Sequence, residues 1–325
     1  MGLLLREEDV ERVIDMDAVI GAVRAAMIEF GEGVAQNQPR RRVYPPGGVL
    51  NVMFASHPGC GHYGLKTYSI GGGRARFLVI LYSIEGDRPG SVEALIEANL
   101  LGAYRTGAAT GVAAAALAPP GPVEVALIGT GFQARTQALA LSRAIPVTKF
   151  RVFSRNADHK DAFVHEVAER LKVPAAAAET AEEAVRGAPV VVCMTNSATP
   201  VIEAGWVEKG ALVVGAGINL PSKAELPPDL VNACEAVVVD QLESAKLESG
   251  DLLNAEASGG FDWEQVQELG AVLAGKAPGR RSPGGTVLFE SHGLALWDVA
   301  AGALVLKRAR EARLGQVVDL FGDHV

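Results

Sequence analysis

The chain has 325 residues, more than a single hydrophobic core usually accommodates, so two domains are expected. A 49% share of hydrophobic residues suits a large α/β core, and a net charge of −8 without any lysine or arginine block argues against nucleic acid or membrane partners. Charged residues begin within the first ten positions, which is untypical of a signal peptide, and no apolar run is long enough to span a bilayer, so a cytoplasmic protein is predicted. The three cysteines are widely spaced and form no pair typical of a metal site, so no metal is predicted.

The first part of the chain is predicted to combine helices with an antiparallel sheet. Helical periodicity covers "EEDVERVI" and "DMDAVIGAVRAAMIEFGEG", and the second helix stops at Gly31 to Gly33. A basic, proline-rich loop, "NQPRRRVYPPGG", precedes three β-type runs that are separated by turns. The alanine-rich segment from Asn99 to Leu117 is typical of a helix, and the "APPGP" that ends it marks a domain boundary.

The second part of the chain alternates short apolar strands with helices, from "VEVALIG" through "PVVVCMT" to "AVVVD". Continuous apolar strands of this length predict a buried parallel sheet of the doubly wound, Rossmann type. From about Ser291 a long amphipathic helix leaves this domain, and its periodicity leaves open where it packs. The fold class predicted is therefore α/β, with the parallel-sheet domain beginning at residue 118.

A dinucleotide-binding motif lies between the first strand and the first helix of this second domain. In the pattern Gly129-x-Gly131-x-x-Ala134, the first glycine permits a tight turn and the second lets the backbone approach a pyrophosphate, while the alanine allows close packing. The pattern alone is weak, and a merely structural turn is the alternative, but a strand before it and a helix after it support binding. The predicted cofactor contacts here are Gly129, Thr130, Gly131, Phe132, Gln133 and Ala134.

The end of the next strand bears on which cofactor is bound. An NAD site usually has an aspartate or glutamate there, whereas this chain has Ser154, Arg155 and Asn156. A guanidinium forms paired hydrogen bonds with a 2′-phosphate, so NADP(H) is favoured. NAD(H) stays possible, because Asp158 follows closely and Arg155 can equally be a solvated residue.

Candidates for the substrate side lie in the first part of the chain. Lys66 interrupts an apolar strand pattern. It is either an edge residue reaching solvent, or a cavity residue whose pKa is lowered by burial and neighbouring cations and which then suits proton transfer. Arg40, Arg41 and Arg42 form either a solvated cluster or part of a loop over a substrate carboxylate.

These motifs resemble the ornithine cyclodeaminase/mu-crystallin family along essentially the whole chain. They are "GLKT", "YRTGAATGVAA", "LIGTGFQA", "VFSRN", "GAGINLPSKAEL" and "LFESHGLALWDVAAG", in family order. The resemblance implies a substrate-binding and dimerisation domain of residues 1–117 with 292–325, a Rossmann domain of residues 118–291, and a homodimer. It further implies an enzyme acting on a carbon that bears both nitrogen and carboxylate, or a mu-crystallin-like ligand-binding protein.

The resemblance also implies roles for individual residues. Lys66 would be the active-site lysine beside substrate and nicotinamide, and Arg105 would hold the substrate carboxylate. Arg41 or Arg42, with Arg41 preferred, would be a second arginine on the carboxylate side. Further cofactor contacts are implied at Thr106, Thr195, Ser291 and His292.

One position departs from the family pattern. Cyclodeaminase and alanine dehydrogenase members have an aspartate two residues before the proline of "GINLP", where this chain has Asn219, which cannot exchange a proton. Asn219 is either a variant catalytic residue or a plain turn residue. The substitution disfavours a cyclodeaminase and affects an imine reductase less. We therefore predict NAD(P)H-dependent reduction of a ketimino acid, with alanine-type dehydrogenase, cyclodeaminase and non-catalytic binder as alternatives in that order.

Overall fold

The computed structural model describes residues 2–85 and 89–320, and the chain divides into two compact units. The first unit comprises the described residues up to Arg105 and those from Leu294 onward, and the second comprises Thr106–Gly293. Each unit is built around one β-sheet. The predicted α/β class, with a doubly wound parallel sheet and a separate α+β unit, is confirmed.

The first unit contains a seven-stranded mixed sheet in the order β15-β1-β6-β5-β4-β3-β2. Its strands are β1 (Gly2–Leu5), β2 (Gln36–Val43), β3 (Gly48–His57), β4 (His62–Gly71), β5 (Arg74–Ser83), β6 (Val92–Glu97) and β15 (Gln316–Val318). Its helices are α1 (Glu7–Val13), α2 (Met16–Glu32), α11 (Ala295–Glu311) and the first residues of α3 (Asn99–Leu117). The three predicted β-type runs form β3, β4 and β5 and pair antiparallel as predicted. The sheet as a whole is mixed, because β1 pairs in parallel with β6.

The segment predicted as a basic, proline-rich loop is largely strand β2, so that prediction was wrong. β2 is the edge strand of the sheet, and its pairing with β3 shifts register between Gln38 and Arg41, where Pro39 lies. An edge strand with an irregularity tolerates proline, because the missing N–H is not needed by a further strand.

The two faces of this sheet differ in what covers them. Met53, Lys66 and Val79 are cross-strand partners on β3, β4 and β5, and all three are buried on the face against which α11 packs. Successive side chains of a strand point to opposite faces. The other face therefore carries the alternate residues, of which Phe54 remains 49% exposed.

The second unit contains an eight-stranded sheet, parallel throughout, in the order β13-β12-β14-β11-β10-β7-β8-β9. Its strands are β7 (Val123–Ile128), β8 (Val147–Phe153), β9 (Ala175–Ala177), β10 (Val190–Cys193), β11 (Leu212–Gly215), β12 (Ala236–Val239), β13 (Gln267–Glu268) and β14 (Val287–Glu290). Its helices are α4 (Phe132–Ala144), α5 (Ala157–Leu171), α6 (Ala181–Val185), α7 (Pro228–Ala233), α8 (Leu242–Glu248), α9 (Gly250–Ser258) and α10 (Leu269–Leu273).

The small residues in the second half of α3 are explained by packing within the second unit. A Cβ added to Gly107 would lie 2.3 Å from the Thr136 carbonyl oxygen of α4, and one added to Gly111 would lie 3.2 Å from the Ala140 oxygen. Residues 106–117 thus belong with the second unit, and the predicted boundary after Leu117 falls later than this division. The assignment of substrate binding and dimerisation to the first domain stays a prediction.

None of the helices described between residues 2 and 320 combines the length and the apolar character that a membrane span requires.

Candidate active site

A groove of about 670 Å³ lies at the carboxyl edge of the parallel sheet in the second unit. The last residues of neighbouring strands meet at this edge, since Ile128 is in register with Phe153 on one side and Cys193 on the other. Ligands of doubly wound folds bind at this edge of the sheet. The described residues that line the groove include nine of the predicted cofactor contacts, namely Gly129, Thr130, Gly131, Phe132, Gln133, Ser154, Arg155, Asn156 and Thr195.

The two glycines of the turn have different structural requirements. Gly129 has φ of 111°, and a Cβ there would lie 2.3 Å from the Met194 carbonyl oxygen, so the fold itself requires glycine. Gly131 is the N-cap of α4 in extended conformation, and a Cβ there would meet no protein atom within 4 Å. The space over Gly131 is therefore open to a ligand, and the N-terminus of α4 suits a pyrophosphate there.

Replacing Gly131 by alanine is expected to leave the unfolding temperature unchanged but to weaken dinucleotide binding about tenfold or more, because the methyl group occupies the approach to the pyrophosphate. Gly129→Ala, the matched variant, should instead destabilise the fold by roughly 1–3 kcal/mol, since φ is positive and Met194 is in contact. Thermal unfolding and NADPH titration of both variants measure this difference. Equal loss of stability in the two would contradict it.

The groove end at β8 has cationic and neutral side chains. Ser154, Arg155, Asn156 and His159 line it, and no aspartate or glutamate occurs among the described lining residues. Asp158, the residue that kept an NAD site open, is exposed and is not among them.

Glu225 supports the opposite wall of the groove and was missed by the sequence analysis. It is 1% exposed, and its Oε1 accepts hydrogen bonds from the Thr195 N–H at 2.6 Å and the Thr195 hydroxyl at 2.7 Å. Its Oε2 accepts from the N–H of Gly217 at 2.7 Å. Burial raises the pKa of Glu225 to about 7, although these donors oppose the rise. A buried carboxylate thus fixes two groove-lining loops.

Five further residues predicted for the site do not line this groove, and no observation tests their roles. Ala134 is fully buried, which fits its proposed packing role, and Ser291 and His292 are also buried. The His292 imidazole Nε2 lies 3.5 Å from Oε2 of Glu290. Thr106 and Asn219 are half-buried.

In the first unit, Lys66, Arg105 and Asp298 form a buried ion cluster. Oδ1 of Asp298 accepts hydrogen bonds from Lys66 Nζ at 2.9 Å and from Arg105 Nε at 3.0 Å. Asp298 has no exposed surface, while Lys66 is 3% and Arg105 7% exposed. A Cβ added to Gly102 would lie 3.0 Å from Lys66 Nζ, so the small residues at the head of α3 leave room for the ammonium.

The Lys66 ammonium is tuned by its surroundings. Burial, then the Arg105 cation and, less strongly, the Arg40 cation lower the pKa of Lys66, and the Asp298 carboxylate partly opposes them. The net result is a fall of the Lys66 pKa from 10.5 to about 8. A group with a pKa close to neutrality is well matched to proton transfer.

Of the three consecutive arginines, Arg40 is the one near this cluster. It is 6% exposed and its Nε donates to the Met53 sulfur at 3.3 Å, on the same sheet face as Lys66. Arg41, the residue preferred from the sequence, is exposed, and Arg42 donates to the Asn51 side chain. The irregularity in β2 turns these side chains in a way that simple alternation does not predict.

Across residues 2–313, the sequence matches the profile of the Ornithine cyclodeaminase/mu-crystallin family. The chain belongs to this family. A Delta(1)-pyrroline-2-carboxylate/Delta(1)-piperideine-2-carboxylate reductase of Azospirillum brasilense is 31% identical over 310 residues, which cover 93% of this chain and 96% of that protein.

Two solved structures of family enzymes are similar to the chain. Thermococcus litoralis Delta(1)-pyrroline-2-carboxylate reductase in complex with NADH and L-proline has a TM-score of 0.91 and 28% identity, covering 97% of this chain and 100% of that one. An archaeal alanine dehydrogenase dimer with bound NAD has a TM-score of 0.90 and 32% identity, covering 98% and 99%.

Asp298 is the main residue of the cluster that the sequence analysis missed, although it lies in the quoted family motif "LFESHGLALWDVAAG". A signal was present, because an aspartate interrupts a stretch of α11 whose residues from Ala295 to Gly302 are all buried. A charge on a buried helix face requires a partner. The described residues include no group of three or more histidine, cysteine, aspartate or glutamate side chains placed to bind a metal ion.

Proposed function

We propose that this chain is an NAD(P)H-dependent reductase of ketimino acids, compounds with a C=N bond next to a carboxylate. The observation that carries this proposal is the buried cluster of Lys66, Arg105 and Asp298. Two cations face one anion, so the cluster has one excess positive charge in a region shielded from water. Such a charge requires a counter-ion, and a substrate carboxylate supplies it.

The residues of the two units have complementary tasks. Arg105 uses Nε for Asp298, which leaves its terminal nitrogens for paired hydrogen bonds with a carboxylate. Lys66 gives a proton to the imine nitrogen, so one N–H bond breaks at Nζ as another forms on the substrate. The groove of the second unit would hold the dinucleotide through the turn at Gly129–Gly131. When bound, NADPH or NADH supplies the hydride for the imine carbon.

Reduction of a preformed imine suits this chain better than deamination does. Asn219, half-buried in the loop after β11, has no charge and cannot exchange a proton with a substrate amine. An imine enters without that step. Alanine-type dehydrogenation is the second candidate, and it is supported by the 32% identity to the archaeal alanine dehydrogenase.

The test of this function is consumption of NADPH or NADH by the purified protein with three substrates: Δ1-pyrroline-2-carboxylate, pyruvate with methylamine, and pyruvate with ammonia. We expect the first two to be reduced. Turnover with pyruvate and ammonia alone would favour the dehydrogenase. Release of proline and ammonia from ornithine with catalytic NAD would favour the cyclodeaminase, and cofactor binding without any turnover would favour a binding protein.

We also propose that NADP(H) is preferred over NAD(H). Arg155 and Ser154 line the end of the groove, and the absence of a carboxylate among its described lining residues removes the usual partner of a ribose 2′-hydroxyl. The two solved relatives bind NADH and NAD, so NAD(H) is retained as the alternative.

Replacing Arg155 by alanine is expected to weaken NADPH binding about 10- to 100-fold while changing NADH binding little, because only the 2′-phosphate pairs with the guanidinium. Arg170→Ala is the matched control. Arg170 is an arginine of α5, the helix that follows Arg155, but it pairs with Glu166 and does not line the groove. Both affinities are read by fluorescence titration. A similar loss for NADH and NADPH would refute the 2′-phosphate contact.

The implied homodimer has a suitable surface in the first unit. The sheet face opposite Lys66 has large apolar side chains that remain exposed, including Leu50 at 38%, Phe54 at 49% and Tyr63 at 39%. Several large apolar side chains exposed on one sheet face are typical of an interaction site. We propose that a second copy of the chain covers this face.

Phe54→Glu is expected to shift the protein from dimer to monomer, because the new carboxylate would be buried against the partner. Leu247→Glu, which changes a similarly exposed apolar residue of the second unit, is the control and should stay dimeric. Light scattering coupled to size-exclusion chromatography measures both masses. A dimeric Phe54→Glu protein would move the interface elsewhere.

A further inference from the structure

The role of Asp298 is the least expected feature of the cluster. It comes from α11, and it contacts β4 and α3 across sequence separations of 232 and 193 residues. Both contacts use the same oxygen, Oδ1. The other oxygen, Oδ2, is buried and has no hydrogen-bond partner among the described residues.

The charges that face Lys66 come from three elements. Arg105 of α3 and Arg40 of β2 are cations, and Asp298 of α11 is the anion paired with its ammonium. Phe77 of β5 adds an aromatic ring, whose centroid lies 5.3 Å from Nζ. Two cations and complete burial favour a neutral amine, so a carboxylate is needed to keep the proton on Lys66.

Asp298 also orients Arg105. With Nε held at 3.0 Å by Oδ1, and with the guanidinium 5.8 Å from the ring centroid of Trp297, the plane of the fork is constrained on two sides. A guanidinium held in this way can donate hydrogen bonds from its two terminal nitrogens to a carboxylate with little further loss of conformational freedom.

We propose that Asp298 is a positioning residue that retains the transferable proton on Lys66 and aims Arg105 at the substrate carboxylate. This inference rests on the proposed function, because it takes the anion that binds Arg105 to be the carboxylate of a ketimino acid. Lys66 loses its proton to the imine nitrogen, and the amine that forms when the imine carbon takes the hydride keeps that proton. After the product leaves, the neutral Lys66 amine regains a proton from solvent, and the Asp298 carboxylate favours the resulting ammonium.

The test compares Asp298→Asn with the wild type in two ways. The first is the pH profile of kcat/KM for Δ1-pyrroline-2-carboxylate. Its alkaline limb reports loss of the Lys66 proton, and it should move about 1–3 pH units lower in the variant, since one opposing charge is removed. Asp298→Glu, which keeps the charge, should restore most of the wild-type limb.

The second measurement does not depend on turnover. The protein is labelled with [¹³Cε]lysine, and the Lys66 resonance is assigned through its loss in Lys66→Arg. The chemical shift of this resonance is followed against pH, and the pH of its titration midpoint should be about 1–3 units lower in Asp298→Asn than in the wild type. NADPH binding serves as the folding control. If the wild type reduces no imine, the proposed function fails, while the NMR midpoint still decides the role of Asp298.

Asp298→Asn leaves two cations buried without their anion, which can prevent folding. In that case the NMR titration midpoint is compared between Arg105→Met and the double variant Arg105→Met/Asp298→Asn. The double variant leaves one unpaired buried cation fewer than Asp298→Asn alone. A lower midpoint in the double variant supports the proposal. An unchanged midpoint in folded protein, or an unchanged alkaline limb in Asp298→Asn, would overturn it.

Discussion

Lys66→Met is expected to lower kcat for imine reduction about 100- to 10,000-fold while leaving NADPH affinity unchanged. The thioether has a length similar to that of the lysine side chain but no proton to give, and general acid catalysis contributes a factor of this size. The residues that line the dinucleotide groove belong to the second unit and are not altered. Steady-state kinetics and NADPH titration measure the two effects separately.

The matched control is Lys160→Met. Lys160 is also buried, but its Nζ donates to the Ala178 carbonyl oxygen and faces no substrate cluster. We expect this variant to lose some stability and to keep kcat within a few-fold of the wild type. If Lys66→Met keeps a near-normal rate, Lys66 has no part in proton transfer.

The pH dependence has a definite sign. Burial lowers the pKa of Lys66 to about 8, and the proton donor is the ammonium, so the rate should fall as pH rises through about 8. This alkaline limb should be absent from the residual activity of Lys66→Met. A limb that persists in that variant would belong to another group.

Arg105→Met is expected to lower kcat/KM for the ketimino acid about 100-fold or more, chiefly by raising KM. The change removes the guanidinium that pairs with the carboxylate, and loss of one partner of a buried, hydrogen-bonded charge pair costs about 2–5 kcal/mol of binding. It also removes the cation that lowers the pKa of Lys66, so the alkaline limb should move upward from about 8.

Arg308→Met is the control for this second change. Arg308 also lies in the first unit, and its guanidinium donates to the Val13 carbonyl oxygen at 2.9 Å, which gives it a structural role only. Its loss should affect stability and leave KM for the imino acid unaltered. A comparable rise in KM for both variants would show a general loss of packing and not a lost carboxylate contact.

The dinucleotide turn was predictable because every element of its signal is local. Gly129 and Gly131 stand between an apolar strand and a helix, and the positive φ of Gly129 is a local requirement for glycine. The parallel sheet was predictable for the same reason, since continuous apolar strands such as Val190–Cys193 are buried on both faces. Family motifs added the expectation that Lys66 and Arg105 act together.

Two features of β2 were decided by tertiary structure. Strand β2 forms through a proline-containing segment because its position at the sheet edge makes the missing N–H harmless. Arg40, and not the preferred Arg41, points toward Lys66 because an irregularity in the pairing of β2 changes the alternation of side chains. Local patterns do not contain strand order or register.

The sequence by itself determined the fold class and the dinucleotide turn, and its family motifs singled out Lys66 and Arg105 as candidate site residues. Only the tertiary structure brought Asp298 to them, across 232 residues, and so determined the charge balance of the cluster. The physical reason is that the pKa of a buried group depends on the charges packed around it. Those charges come from β2, α3 and α11, which no local sequence pattern connects.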